Sequence, residues 1–344
     1  MANLPPKNGL NSAPPSEIDC PLANLTVGII QNPQSQIQMA HIQSPFVSVI
    51  IPVFNDVERL KICLTALDRQ TYPQHLYETI VVDNGSDREF DIAGVVAGFR
   101  AIATVEQTPG SYAARNHGIS IATGSIIAFT DADCIPSQNW IEQGVKHLLS
   151  SPNCGLVAGK IEIFCKDPDR PTAVELYEYL TAFPQQKLVE QHHFGATANM
   201  FTFREIFEKV GRFNSSLKSR GDLEWGQRVH TSGYRQIYAA DVCVKHPARY
   251  SFDELYLRTI RMAGGQYDLI NLVAASALKQ NFLYLNSVIA DLIPPVMFIM
   301  MIWKDDRLKN YYQKIQVSRA IIFVRYVSGR EKIRLKFGGT SARY

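Results

Sequence analysis

The sequence predicts an α/β protein with a mostly parallel central sheet, helices on both faces of that sheet, and a helical C-terminal extension. Two observations lead to this fold class. From residue 46 onwards, short apolar runs rich in β-branched residues alternate with segments whose apolar residues recur at helical spacing. The apolar runs are also continuous, which is typical of parallel strands buried on both faces.

The predicted elements can be followed along the chain. Strands are expected at FVSVIIP (46–52), YETIVVDNGS (77–86), SIIAFT (125–130) and GLVAGKIEIF (155–164). Helices are expected at residues 57–70, 111–122, 137–150 and 172–183. A loop, FGATANMFTF (194–203), precedes a further helix over 221–233 that has acids near its start and Gly233 at its end. The last strand of this part is expected over 236–248, finishing near His246.

Composition is that of an ordinary soluble protein, but the charge is unevenly spread. The 344 residues suffice for one large domain or two, and 46% are hydrophobic. Residues 304–344 hold 11 Lys/Arg against 3 Asp/Glu, a net charge of +8, whereas residues 1–303 carry −5. This basic tail indicates either an anionic surface as partner or a solvated basic face. We expect no nucleic-acid partner.

The N-terminal segment and the cysteines bear on compartment. Residues 1–44 are rich in Pro, Asn and Gln and poor in charge, so we expect a disordered leader, without a secretory signal. The six cysteines are scattered and form no CxxC pair, which excludes a zinc knuckle or a dense disulfide framework. The expected location is therefore the reducing cytoplasm.

Polar residues follow three of the predicted strands. Asn55 comes after the first, Asp83 ends the second, and Asp131 and Asp133 follow the third. In open α/β sheets ligands bind beyond the carboxyl ends of the strands, so these side chains are expected at one site. A D-x-D pair is common in solvated turns, but at this edge it also suits a divalent cation that bridges to phosphates.

Other candidate residues each have a structural explanation as well. Arg115 suits phosphate but is also an ordinary surface cation. Asp222 and Glu224 open a helix, where acids are favoured whatever the function. A lone histidine such as His246 more often makes a structural hydrogen bond than binds metal. Taken together, along one α/β chain, these residues favour a nucleotide-diphosphate site.

Six sequence blocks, in order and spacing, resemble family 2 glycosyltransferases with the GT-A fold: VSVIIPVFND, IVVDNGSDR, AARNHGI, GSIIAFTDADCIP, FGATANMF and GDLEWGQRV. The resemblance covers about residues 46–250. It implies an inverting enzyme that moves a sugar from a nucleotide-diphosphate donor, a UDP-sugar, to an acceptor hydroxyl. It also implies Mg²⁺ or Mn²⁺ as cofactor and a carbohydrate, lipid-linked or other hydroxyl acceptor. The expected process is synthesis of cell-surface polysaccharide or glycoconjugate.

The resemblance also implies roles for individual residues. Binding of the nucleotide-sugar is implied for Pro52, Asn55, Asp83, Arg115 and Asp131. Metal binding is implied for Asp131, Asp133 and His246, and contact with donor sugar and acceptor for the loop from Gly195 to Asn199.

The catalytic base is less sharply assigned. The family's Glu-Asp-x-Asp block reads Gly221-Asp222-Leu223-Glu224 here. Asp222 matches the position of the base, but the preceding acid is missing. The choice between Asp222 and Glu224 therefore stays open.

The predicted C-terminal extension (251–344) follows a predicted catalytic domain (45–250). It contains a twenty-residue apolar stretch, YLNSVIADLIPPVMFIMMIW (284–303). Asp291 and the Pro294-Pro295 pair argue against a simple membrane span. One interpretation is an interfacial helix pair on the inner face of the plasma membrane, with basic residues facing anionic headgroups. The other is a helical annex that covers the catalytic domain.

Two other functions compete with glycosyl transfer. A nucleotidyltransferase shares the architecture and the metal requirement, but it usually has a Gly-rich basic loop after the first strand, and PVFNDVERL has none. A non-catalytic nucleotide-sugar-binding relative is favoured by the missing acid at position 221. The presence of Asp131, Asp133, Asp222 and Arg115 argues against it.

Overall fold

A central sheet of eight strands organises residues 44–342, the part of the chain that the computed structural model describes. The strands are β1 (Val47–Val53), β2 (Tyr77–Asp83), β3 (Ala101–Val105), β4 (Ile126–Thr130), β5 (Ile135–Pro136), β6 (Cys154–Phe164), β7 (Asn199–Phe203) and β8 (Arg235–Pro247). Their order across the sheet is β3-β2-β1-β4-β7-β6-β8-β5. The leader predicted at the N-terminus falls almost wholly outside the described residues.

Strand directions confirm the mostly parallel sheet. Strands β3, β2, β1 and β4 are mutually parallel, and β8 runs parallel to β6. Strand β7 is antiparallel to both β4 and β6, and the short β5 is antiparallel to β8. Val53 pairs with Asp83, and Asp83 pairs with Val105, so the carboxyl ends of the first three strands lie level at one edge.

Helices cover both faces of this sheet. They are α1 (Val57–Leu67), α2 (Ile92–Val96), α3 (Ser111–Ile121), α4 (Trp140–Ser150), α5 (Ala173–Thr181), α6 (Gln185–His192), α7 (Arg204–Val210) and α8 (Gly221–Thr231). Alternate residues of β1 point to opposite faces. Ile51 packs in the core that contains Leu64 of α1, whereas Ile50 packs in the core that contains Ile119 of α3 and Trp225 of α8.

Four further helices form the C-terminal part: α9 (Phe252–Val273), α10 (Ala277–Leu292), α11 (Val296–Lys304) and α12 (Tyr311–Lys336). They join the rest of the chain through α5, whose Val174 and Tyr177 share an apolar cluster with Leu255 of α9 and Val317 of α12. Beside that cluster, the buried carboxylate of Glu178 binds Arg249 at 2.9 Å. The extension is thus packed against the rest of the chain.

The predicted apolar stretch is a broken helix pair. Helices α10 and α11 meet at an angle of 47°, with the two prolines in the break between them. Asp291 accepts hydrogen bonds of 2.6 Å from both Ser328 and Lys332 of α12, which accounts for an acid in this sequence. Within residues 44–342 no single helix is long and apolar enough to cross a bilayer, although this bent pair has the necessary combined length and composition.

Candidate active site

The loops after β1 and β2 are tied together by Asn55. Its backbone lies in the left-handed region, with φ of 52°, and its N–H donates to Ser86 Oγ at 3.0 Å. Its side-chain amide exchanges two hydrogen bonds with Asp87, and Asp83 Oδ1 accepts from the N–H of Ser86. The structure therefore brings Asn55 and Asp83 to one edge of the sheet, while Pro52 lies within β1 beside Val82.

Asn84, one of the polar residues expected at this edge after the second strand, positions the next helix. Its buried amide donates to the carbonyl oxygens of Glu106 and Thr108 and accepts from the N–H of Gly110, at 2.7–2.9 Å. Gly110 has φ of 132° and directly precedes α3. One buried side chain thus fixes where α3 begins. The available signal was an asparagine after a strand, but such residues are common in turns.

Arg115 of α3 neutralises Asp131. One Nη atom of Arg115 lies 2.5 Å from Asp131 Oδ1, and Arg115 is only 4% exposed. The guanidinium also lies over the ring of Tyr112, with 5.6 Å between the guanidinium carbon and the ring centroid. The Nε atom of Arg115 is buried and has no hydrogen-bond partner among the described residues. Arg115 therefore acts on the first carboxylate of the D-x-D pair, the one that directly follows β4.

Asp133 faces a histidine. The Nδ1 atom of His246 lies 2.7 Å from the carbonyl oxygen of Pro247, which can only accept, so Nδ1 carries a proton. In the neutral ring Nε2 is then an acceptor, and it lies 3.5 Å from Asp133 Oδ2. Two acceptors this close need positive charge beside them, and Arg59 supplies part of it, since one of its Nη atoms lies 3.7 Å from the same Oδ2. Ligands of an octahedral ion with bonds of about 2.1 Å lie about 3 Å apart, so Asp133 and His246 fit a divalent cation.

Cys134 completes the local group but is a poor ligand for such an ion. Its Sγ lies within 4.8 Å of the ligand atoms of Asp133 and His246. Burial, followed by the charges of Asp133 and Asp131, raises the pKa of the Cys134 thiol well above its ordinary value. The thiol therefore stays protonated and lies 3.7 Å from the carbonyl oxygen of Ala198. Hard cations prefer oxygen ligands, so Cys134 is a packing residue here.

Asp222 lies in the first turn of α8, and its side chain is partly buried. Its Oδ1 accepts hydrogen bonds from the hydroxyl of Tyr112 at 3.0 Å and from the N–H of Leu223 at 2.9 Å. Burial raises the pKa of the Asp222 carboxyl, and these two hydrogen bonds, with the charges of Arg115 and Arg220, act in the opposite direction. A carboxylate with a raised pKa is a stronger base.

Glu224 is held in a different way. Its two carboxylate oxygens accept from Arg228 Nε at 2.7 Å and from an Nη atom of Arg228 at 3.0 Å. The same guanidinium donates to the carbonyl oxygens of Val210 and Arg212. Glu224 is thus committed to an ion pair that joins α8 to the segment after α7.

The missing acid at position 221 has a steric explanation. A Cβ atom added to Gly221 would lie 2.7 Å from two ring carbons of Tyr112. Tyr112 in turn holds Asp222 in place. The ring that orients Asp222 therefore leaves no room for a side chain at position 221.

In the predicted donor loop, Gly195 and Asn199 pack against the sheet, and the carbonyl oxygen of Ala198 lies beside Cys134. A Cβ on Gly195 would lie 2.6 Å from Cβ of Ala158, so Gly195 permits close packing on β6. Asn199 is fully buried and accepts from Trp140 Nε1, while its amide donates to the carbonyl oxygens of Lys160 and Val242. The absent side chain of Gly195 and the buried amide of Asn199 both serve the packing of the sheet, and the sequence motif alone does not show this.

A cavity of about 770 Å³ opens on the outer side of Asn55. Its lining includes four carboxylates and one cation, namely Asp56, Glu58, Glu89, Asp91 and Lys61. This charge does not suit phosphates.

Comparison with known proteins fits this geometry. The model of glycosyl transferase family 2 matches residues 48–211. Glycosyltransferase AglE of Haloferax volcanii is 40% identical over 229 residues, which is 64% of this chain and 73% of the relative. A pre-mycofactocin glycosyltransferase of Mycobacterium tuberculosis is 27% identical over 210 residues, covering 59% of this chain and 43% of that protein.

The fold is similar to that of a solved enzyme. Mannosyltransferase PcManGT from Pyrobaculum calidifontis, in complex with GDP-Man and Mn²⁺, superposes with a TM-score of 0.55 at 19% identity. The match covers 84% of this chain and 88% of that one. The α/β sheet with its surrounding helices is therefore a GT-A fold, as the sequence predicted.

The fold and the matched sequence define a glycosyltransferase that uses a nucleotide-sugar donor. The chain belongs to glycosyltransferase family 2. The competing expectations of a nucleotidyltransferase and of a non-catalytic relative are wrong.

The contact between Gly221 and Tyr112 predicts a strong coupling between these two positions. Gly221→Ala should lower the free energy of unfolding by about 1–3 kcal/mol, because its Cβ overpacks the tyrosine ring. In a Tyr112→Ala background the same change should cost nothing or stabilise, since alanine favours the helix. Urea denaturation of the four proteins measures this. Equal effects of Gly221→Ala in both backgrounds would contradict the steric explanation.

Proposed function

We propose that this glycosyltransferase inverts configuration at the transferred sugar, uses a divalent cation, and takes a UDP-sugar as donor. One observation carries the proposal: helix α3 holds both ends of the reaction centre. Arg115 binds Asp131 on the side of the D-x-D pair, and Tyr112, one turn earlier, binds Asp222. One rigid helix thus positions both the carboxylate next to the departing diphosphate and the carboxylate proposed as the base.

On the donor side, the cation would be held by Asp133 and His246. When bound, it supplies positive charge that stabilises the departing nucleoside diphosphate. Arg115 holds Asp131 by a single oxygen, which orients that carboxylate beside the cation site. The hydrogen bond from His246 Nδ1 to Pro247 orients the ring and selects the tautomer whose Nε2 lone pair can bind the metal. Asn55 and Asp83 line the adjoining loops where the nucleotide base is proposed to bind.

On the acceptor side, Asp222 is proposed to take the proton from the attacking hydroxyl. Burial raises the pKa of Asp222, which strengthens it as a base near neutral pH. Burial and the charge of Asp222 also raise the pKa of Tyr112, so the phenol remains a donor and keeps the carboxylate oriented. A single base facing a departing diphosphate gives direct displacement, and hence inversion.

The donor has a second candidate. PcManGT was solved with GDP-Man, which supports GDP-mannose as an alternative to a UDP-sugar. The nitrogen ligand supplied by His246 favours Mn²⁺ over Mg²⁺, which prefers oxygen ligands. We place the reaction in the synthesis of a polysaccharide or another glycoconjugate.

Transfer assays with a panel of UDP- and GDP-sugars test this function, and two variants test the base. Asp222→Asn should lower kcat about a hundredfold or more while donor KM stays close to wild type, as expected for loss of a general base. In the wild type, kcat should rise with pH as Asp222 loses its proton. In Asp222→Asn this rise of kcat with pH should be absent. Glu224→Gln should lower kcat clearly less than Asp222→Asn does.

The reverse order of these two effects, in proteins with unchanged circular dichroism, would move the base to Glu224. Donor hydrolysis or transfer that is equally fast without any divalent cation would contradict the proposed metal dependence. Products with retained anomeric configuration, read by NMR, would contradict inversion.

We also propose that α10 and α11 bind the cytoplasmic surface of an anionic membrane. Large apolar side chains are exposed along both helices: Leu278, Phe282, Leu285, Ile289, Leu292, Val296, Met297, Met300 and Met301. The sequence from residue 304 onwards adds a net charge of +8. Apolar insertion next to basic residues is the combination that interfacial segments use.

Vesicle sedimentation tests this attachment. The full chain should pellet with phosphatidylglycerol vesicles at low salt and be released at high salt, because ionic screening weakens the charge attraction. Phe282→Glu with Met297→Glu should keep it in the supernatant, whereas Ile62→Glu, on exposed α1 surface, should pellet like wild type. Equal pelleting of all three proteins, or of none, would contradict a membrane role for α10 and α11.

A further inference from the structure

A second cavity lies where the C-terminal helices meet the start of α8. It has a volume of about 230 Å³, and we call it the arginine cleft because Arg220, Arg258 and Arg325 line it. Arg258 belongs to α9, Arg325 to α12, and Arg220 is the residue that precedes α8. The proposed transfer chemistry uses none of these three side chains.

Two of the three guanidinium groups have buried N–H groups without an acceptor. The Nε atoms of Arg220 and Arg325 are buried and have no hydrogen-bond partner within residues 44–342, although an Nη atom of Arg325 donates to the carbonyl oxygens of Ala290 and Ile293. Burial lowers the pKa of Arg220, and the carboxylates that act on it electrostatically are Asp222 and Asp291. Arg220 lines the cavity and donates no side-chain hydrogen bond within residues 44–342, so its guanidinium is available to an acceptor that binds from solution.

The carboxylates nearby are already engaged. Asp291 accepts from Ser328 and from Lys332, which is itself only 3% exposed. Glu178, which lies 3.5 Å from Arg258, is bound more closely by Arg249. The arginine cleft therefore keeps an excess of positive charge in a partly desolvated place.

The position of the arginine cleft points to the acceptor rather than the donor. Arg220 lies two residues before Asp222, the proposed base. Helix α9 is seated directly on this segment, since a Cβ on Gly265 would lie 2.6 Å from Cβ of Ser219. The proposed metal ligands lie elsewhere, after β4 and at the end of β8. An anion in the cleft would thus lie on the base side of the reaction centre.

We infer that the arginine cleft binds a phosphate group carried by the acceptor, close to the hydroxyl that receives the sugar. The inference rests on the proposed function, because it takes Asp222 as the base. Guanidinium groups bind phosphate oxygens through paired N–H donors, and three of them suit a phosphate better than a single carboxylate. The volume corresponds to about eight waters at roughly 30 Å³ each, enough for a phosphate group.

The source of that phosphate is a lipid-linked acceptor or a free sugar phosphate, and the two share this chemistry. The lipid-linked source fits the exposed apolar side chains better. Asp291 of α10 lines the cleft, and its neighbour Leu292 is among the exposed apolar residues of that helix. A chain attached to the phosphate would leave the cleft beside an apolar surface.

Calorimetry on the full chain, with saturating UDP and Mn²⁺ so that the donor site is filled, tests the inference. Inorganic phosphate and hexyl phosphate are the two probes. Both should bind wild type, and Arg220→Gln should weaken both by about tenfold or more, as expected for loss of a charged hydrogen bond. Arg330→Gln, an exposed arginine of α12 outside the cleft, should stay within about twofold of wild type.

A second variant and a comparison of the two probes complete the experiment. Arg258→Gln serves as a second variant if Arg220→Gln does not fold, and it should show the same loss. Tighter binding of hexyl phosphate than of inorganic phosphate identifies the lipid-linked source, and equal binding identifies a free sugar phosphate.

Other outcomes overturn the inference. Phosphate that fails to bind wild type, binds both variants as well as wild type, or is displaced by UDP has no site in the arginine cleft. Failure of the proposed function looks different. In that case UDP with Mn²⁺ fails to bind wild type, or Asp222→Asn transfers the sugar at the wild-type rate. Either result is independent of how tightly phosphate binds.

Discussion

Two like charges at the end of β4 impose the constraint around which the site is arranged. Asp131 and Asp133 are separated by one residue and repel each other unless each has a positive partner. Arg115 supplies a permanent partner for Asp131. Asp133 has looser partners, since Nε2 of His246 lies 3.5 Å and an Nη atom of Arg59 lies 3.7 Å from its Oδ2, and we propose that a divalent cation adds to them. Because Arg115 must reach Asp131, the start of α3 has to be fixed, and Asn84 fixes it through Gly110.

The same helix couples the donor side to the acceptor side. Tyr112 lies one turn before Arg115, holds Asp222, and excludes any side chain at position 221. The C-terminal extension also acts on this site. Desolvation of the half-buried Arg261 of α9 lowers its pKa, and it interacts electrostatically with both Tyr112 and Asp131. The extension therefore contributes positive charge near the two residues that α3 connects.

Much of this arrangement was predictable from sequence. Continuous apolar runs predicted the parallel strands, and the polar residues that follow them predicted a site at their carboxyl ends. The half-exposed edge strand β3 and the polar helix α6 were missed, since neither has a strong apolar period. The packing contacts of Gly195 and Asn199 were not predictable for another reason. A motif gives the position of a side chain in the sequence, but the contacts that bury it come from distant strands.

The central claim, that Asp133 and His246 share a divalent cation, is tested most directly by titrating Mn²⁺ and following its EPR signal. His147 provides a matched control, because its Nε2 lies 2.7 Å from Asp241 in a more exposed pair. The account predicts that His246→Ala and Asp133→Ala weaken Mn²⁺ binding in the presence of UDP by about tenfold or more, while His147→Ala leaves it unchanged. Wild-type affinity in His246→Ala and Asp133→Ala would contradict it.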